Sequence, residues 1–130
     1  MKIDSREFSK VAYQALGEIK NELDTNYHKK ASGLIQGLTT YISTWGLHRL
    51  SGDAKKFLNG TAEDTQYKGK VYQKFLIKLQ EFSGQNFDPE DEGSLIHLPL
   101  RQYTSLNRLA IQLSKEWSFW AASVLGEAEQ

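Results

Sequence analysis

The stretch RQYTSLNRLAIQLSKEWSFWAASVLGEA, Arg101 to Ala128, decides the fold. Its apolar residues Tyr103, Leu106, Ala110, Leu113, Trp117, Trp120, Val124 and Ala128 recur in steps of three and four. A helix turns once per ~3.6 residues, so these side chains form one continuous stripe. Phe119 and Leu125 flank it. Aromatic side chains bury the most area, so this helix is expected to supply the largest share of a core. Arg101, Gln102, Asn107, Arg108, Gln112, Lys115 and Glu116 fall off the stripe, toward water or a partner. Pro99 suits the first helical turn, where its missing N–H costs nothing. The regular seam also fits a coiled-coil contact, but one such helix in a short chain more often packs internally.

Working outward, other segments repeat the helical spacing. Asp4 and Glu7 form a capping-box pattern before Phe8, Val11, Ala12, Ala15, Leu16, Ile19 and Leu23, which predicts a helix from about Ser5 to Tyr27. A second region starts near Ala31 with Leu34, Ile35, Leu38, Tyr41, Ile42 and Trp45, and continues through Leu47, Leu50, Ala54, Phe57 and Leu58. Gly46 and the Ser51-Gly52-Asp53 step are candidate breaks, and Asn59-Gly60 is expected to close the run as a left-handed cap. Thr61 and Asp64 are candidate caps for a helix carrying Tyr67, Val71, Phe75, Leu79 and Phe82. The acidic stretch 84–93, with Pro89 and two glycines, reads as a mobile loop that Phe87 pins. No strand is predicted. The expected fold is all-α, one domain over 1–130, a bundle of four to six helices.

Composition bounds function. The 130 residues suit one domain. The absence of cysteine removes disulfides and thiolate chemistry, and fits a reducing cytoplasm. No apolar run resembles a signal peptide or reaches the ~18 residues of a membrane span. Formal net charge is zero, yet residues 25–84 hold nine Lys and Arg against four Asp and Glu. Acids gather instead at Asp88, Glu90, Asp91, Glu92, Glu127 and Glu129. A basic middle attracts phosphate, although a solvated helix surface looks the same.

Chemistry-bearing motifs are missing. His28, His48 and His97 share no ligand spacing, no serine sits in a nucleophile elbow, and no Gly-rich phosphate loop precedes a helix. Glu63-Asp64 and Asp91-Glu92 read as caps and solubility rather than an acid–base pair. The sequence therefore predicts no catalytic residue, no metal site, no cofactor and no enzyme.

Leu38-Thr39-Thr40-Tyr41-Ile42-Ser43-Thr44-Trp45-Gly46-Leu47 resembles the central signature of the small subunit of the type III-B CRISPR–Cas (Cmr) effector complex. Leu38, Ile42, Gly46 and Leu47 fall in register, and Phe57 with Lys55 and Lys56 ends the apolar run. The N-terminal helix with Ala12 and Tyr13, the Tyr27 junction, and the closing helix with Trp117 and Trp120 are similar to that family as well. Thr39 stands where the family prefers proline, Trp45 where it prefers asparagine, and Ala121-Ala122 where a Lys-Arg pair often follows the tryptophan. The resemblance implies an all-helical, non-catalytic protein that stacks with copies of itself and other effector subunits in antiviral defence. It also implies contact with the backbones of crRNA and target RNA, without base reading.

On that reading Lys29, Lys30, His48, Arg49, Lys55 and Lys56 are the expected RNA contacts, with Lys55 and Lys56 closest to the family pattern. Lys70, Lys74 and Lys78, spaced to line up on one helix face, come second. Lysine stems flank many buried faces without binding anything. The rival is a helical protein–protein adaptor that touches no nucleic acid. A contiguous basic strip from the Lys29, Arg49 and Lys55 regions favours RNA. Scattered lysines with an exposed aromatic patch favour the adaptor.

Overall fold

A computed structural model describes residues 4–128, so Glu129 lies outside the described residues. These residues form seven α-helices and no strand, one helix more than the upper expectation. The helices are α1 (Ser5–Glu22), α2 (His28–Gln36), α3 (Leu38–Trp45), α4 (Leu47–Leu58), α5 (Glu63–Ser83), α6 (Glu92–Ile96) and α7 (Leu100–Leu125). Among the described residues no helix is long and apolar enough to cross a membrane.

The final helix takes the central position expected of it. It packs on α1, α2 and α3, while α4 packs mainly on α5 and also meets α6. Trp117 of α7, fully buried, meets the edge of Phe75 of α5 at 5.0 Å and joins the two groups. The stripe itself drifts. Leu106, Ala110, Leu113 and Trp117 are buried as expected, but the burial then passes to Ala121 and Leu125. Trp120 and Val124 are only half-buried. A straight helix gains on a heptad repeat by ~20° every seven residues, so the apolar line slides around a helix of this length.

Glycine sets the subdivision of the middle. Gly37 separates α2 from α3, and Gly46, at φ +88° and ψ 158°, separates α3 from α4. The Ser51-Gly52-Asp53 step does not interrupt α4. The first helix stops at Glu22, five residues early, because Leu23 turns extended and Thr25–Tyr27 form a single 3-10 turn. Asp24 and Asn26 are weak helix formers and disfavour continuation.

The caps differ from expectation too. Asp4 accepts from the Arg6 N–H, but Glu7 pairs with Lys10 rather than closing a box. Asn59-Gly60 is not left-handed, since among the described residues only Gly46, Gly84 and Gly126 have positive φ. Helix α5 starts after Ala62 with no side-chain cap from Thr61 or Asp64. In the acidic stretch, Phe87 is buried and Ser94 Oγ accepts from the Asp88 N–H at 2.8 Å. The loop expected over 84–93 thus ends where α6 begins.

Candidate nucleic-acid interface

The nine predicted contacts are distributed over α2, α4 and α5. Lys74 and Lys78 already face carboxylates of the fold. Their side chains are only 16% exposed and point at α1. Lys74 Nζ lies 2.8 Å from Glu22 and 3.4 Å from Glu18, and Lys78 Nζ lies 3.0 Å from Glu18. Partial burial disfavours the Lys74 ammonium, but the two carboxylates outweigh it and hold its pKa above the usual lysine value. The Lys78 hydrogen bond holds Glu18 below the ordinary carboxylate value against the opposing effect of burial. This cluster ties α5 to α1 and has little charge left for phosphate.

Lys70, on the same predicted row, is exposed but lines a polar crevice with Glu22, Asp24 and Glu63. Lys30 pairs with Asp64 at 3.5 Å and sits over the Tyr27 ring. Lys55 pairs with Glu92 at 3.7 Å. His48 is occupied inside the fold, with its Nδ1 2.7 Å from the Tyr103 hydroxyl. Exposed pairs of this kind contribute little stability, so Lys30 and Lys55 remain available to a polyanion at small cost.

Among the described residues Arg49, Lys56 and Lys29 make no salt bridge and line no acidic crevice. Arg49 lies over the ring of Trp45, 4.8 Å from its centroid, and Trp45 is 52% exposed. Lys56 is exposed at the end of the same helix. Lys29 is exposed, and its stem lies 3.7 Å from the place a Cβ on Gly126 would take, beyond the last turn of α7. A cation there faces the negative end of the helix dipole.

A further basic surface, outside the nine expected contacts, is the outer face of α7. Arg101, Ser105, Arg108, Gln112, Lys115 and Phe119 follow one another at steps of four and three, and all six are exposed. They lie opposite the buried line of Leu106, Ala110, Leu113 and Trp117. Among the described residues none of the three cations has a carboxylate within salt-bridge distance. From Arg101 to Lys115 the row runs about 21 Å at the rise of an α-helix. The neighbouring Glu116 turns aside and accepts from Ser9 Oγ of α1. The spacing puts Arg101, Arg108, Gln112 and Lys115 off the apolar stripe, toward water or a partner, and Phe119 on its flank. Their charge lies outside the basic stretch 25–84.

The row ends in aromatic surface. Phe119, 70% exposed, meets Trp120 edge-on at 4.9 Å, and Trp120 meets Tyr13 of α1 at 5.7 Å. Cations beside exposed rings are the usual equipment for gripping a single strand, phosphates on one and bases on the other. Among the described residues no group of three His, Cys, Asp or Glu could hold a metal ion.

The resembling motif acquires a physical meaning in this geometry. Leu38, Ile42 and Leu47 are fully buried, and Gly46 makes the bend between α3 and α4. Thr39, at the proline position, hydrogen-bonds Ser114 of α7 at 2.8 Å. Trp45, at the asparagine position, faces solvent under Arg49. No protein-family model matches the chain, and no curated protein or solved structure does either.

Proposed function

We propose that this chain is a non-catalytic small subunit of a cytoplasmic type III CRISPR–Cas ribonucleoprotein of the Cmr kind. It contacts the backbone of crRNA and target RNA and packs against other effector subunits and copies of itself. The observation that carries the RNA contact is the acid-free row Arg101, Arg108 and Lys115 on the outer face of α7. A helix face with three unpaired cations over about 21 Å suits phosphates and carries no base information by itself. The resemblance of Leu38–Leu47 supplies the choice of ribonucleoprotein. Net neutrality suits a part that is mostly surrounded by other subunits.

One chain offers few phosphate contacts, so binding by the isolated protein is weak and assembly supplies the rest. The test is RNA binding and co-assembly with a crRNA-bearing complex, using parent and the triple variant Arg101→Gln, Arg108→Gln, Lys115→Gln. Loss of affinity and of salt dependence in the variant supports the reading. Equal behaviour across a salt titration sinks it.

The adaptor reading keeps one specific support, the exposed rings of Tyr13 and Phe119 on either side of half-buried Trp120. Tyr13→Ser with Phe119→Ser separates the two. An adaptor loses partner capture and never binds RNA, whereas an RNA-binding subunit retains the salt-dependent part of its affinity.

A further inference from the structure

Phe119 lies about five turns beyond Arg101 on α7, at the same angle around the helix axis. Lys115 comes about one turn before it. Between the two ends the face carries Ser105, Arg108 and Gln112 and no acid, and Glu116 points away to Ser9. A partner that reaches the ring along this face meets positive charge alone.

The packing of the rings leaves flat surface open. Phe119 is 70% exposed, although its ring touches Trp120 at a centroid distance of 4.9 Å and an angle of 84°. An edge-to-face contact covers at most one face of a ring, so at least one face of Phe119 is left uncovered by Trp120. Tyr13 of α1, also exposed, meets Trp120 in the same way at 5.7 Å and 89°. Trp120 is half-buried and braces both neighbours. Two exposed rings held on a third form a patch rather than a scattered apolar residue.

The occupant has to offer negative charge over about 27 Å and a flat π surface at one end. A single strand of nucleic acid does both, with phosphates on the cations and an unstacked base on the ring. A duplex does not, because its bases stay stacked on one another and only backbone and groove edges face a side chain. At the Arg101 end of the row the exposed apolar side chains are Ile96 and Leu100, which are aliphatic and have no π face. Base contact is therefore confined to the Phe119 end.

We infer that Phe119, braced by Trp120 and Tyr13, is a base-stacking platform, and that the α7 row ending on it takes single-stranded RNA rather than a duplex. The inference rests on the RNA reading of the same row and adds which form of RNA the row accepts. Stacking tolerates every base, so the contact reads no sequence.

The test uses the full chain with labelled phenylalanine rings, titrated at low salt with oligoadenylate, with an abasic strand of equal length and charge, and with a duplex of that length. Oligoadenylate is expected to bind about tenfold more tightly than the abasic strand, the effect of one stacked base, and to move the Phe119 ring resonances upfield. The abasic strand and the duplex leave those resonances in place. Phe119→Ser, at a position the core does not use, loses the tenfold preference and keeps the salt dependence, while Phe119→Trp retains both. Leu100→Ser, at the other end of the row, changes neither. Equal affinity of the parent for the two single strands overturns the inference and leaves the RNA reading standing, as does an undiminished preference in Phe119→Ser. If the triple variant Arg101→Gln, Arg108→Gln, Lys115→Gln binds every strand as the parent does, the RNA reading falls and the inference with it. Binding of an acidic amphipathic peptide in place of all three RNAs has the same consequence and assigns the patch to an adaptor.

Discussion

The hydroxyl of Tyr103 lies 2.7 Å from Nδ1 of His48 and also accepts from the His48 backbone N–H at 3.3 Å. One turn further along α7, Asn107 Oδ1 accepts from the Leu47 N–H at 2.9 Å. Helix α4 begins after Gly46, which has no side chain to cap it. The first N–H groups of α4 are therefore satisfied by α7, from across the fold. Gly46 is the only residue type that fits the junction. Its φ of +88° with ψ 158° is glycine backbone, and a Cβ there would lie 2.6 Å from the Tyr103 hydroxyl.

These contacts fix the size of the substitution effects. Tyr103→Phe and Asn107→Ala each lose a cap and are expected to cost about 1 kcal/mol, within the range for N-cap removal. Gly46→Ala is expected to cost more than either, about 2–4 kcal/mol, because backbone strain and the clash with Tyr103 add. Combining it with Tyr103→Phe relieves the clash and not the strain. Urea unfolding of the four variants checks the order.

Gly69 is the closest approach of α4 to α5. A Cβ there would meet Leu58 N at 2.6 Å, Leu58 Cγ at 2.7 Å and Ala54 O at 3.0 Å. Two of these are backbone atoms that cannot swing away. Gly69→Ala is expected to destabilise by about 1–3 kcal/mol, although alanine is the better helix former. Gly17→Ala, with no atom within 4 Å of the new carbon, is expected to stabilise slightly. Thermal unfolding of the pair separates packing from propensity.

The α1–α5 ion cluster predicts a pH dependence with a definite sign. Glu18 titrates below its ordinary 4.5 in the folded chain, chiefly through the Lys78 hydrogen bond. Its contribution is fully present above pH 4.5 and is lost as pH falls through the lower folded value. Lys74 titrates above its ordinary 10.5, so its contribution is present below that pH and fades as pH rises further. Glu18→Gln is expected to lower stability at neutral pH and to flatten the acid limb of the stability curve. A parent and variant with parallel acid limbs would contradict it.

The two cation populations predict opposite responses. Replacing Arg101, Arg108 and Lys115 by Gln is expected to leave stability unchanged within about 0.5 kcal/mol. The same change is expected to flatten the slope of log affinity against log salt by about 2 for single-stranded RNA. Lys74→Gln is expected to do the reverse, destabilising the fold with no change in that slope. Paired measurements of melting temperature and salt dependence check both expectations.

Most of the fold was legible in the chain because apolar spacing is a local property. The α1, α5 and α7 faces, the pinning of Phe87 and the Asp4 cap all follow from residues a few positions apart. Trp120 and Val124 were misplaced because a step of three and four matches the helical period only over a few turns. The caps of α4 were invisible, since Tyr103 and Asn107 lie more than fifty residues away in sequence.

The candidate site divides the same way. The sequence by itself determined that the chain is helical, that it holds a basic middle, and that Arg101, Arg108 and Lys115 share the face opposite the α7 core. It could not determine which cations already have partners. Glu18 and Glu22 neutralise Lys74 and Lys78 only because α1 packs on α5, and Glu92 meets Lys55 only because α6 packs on α4. Charge is written in the sequence, but whether it is free depends on distances of a few ångströms that packing alone sets.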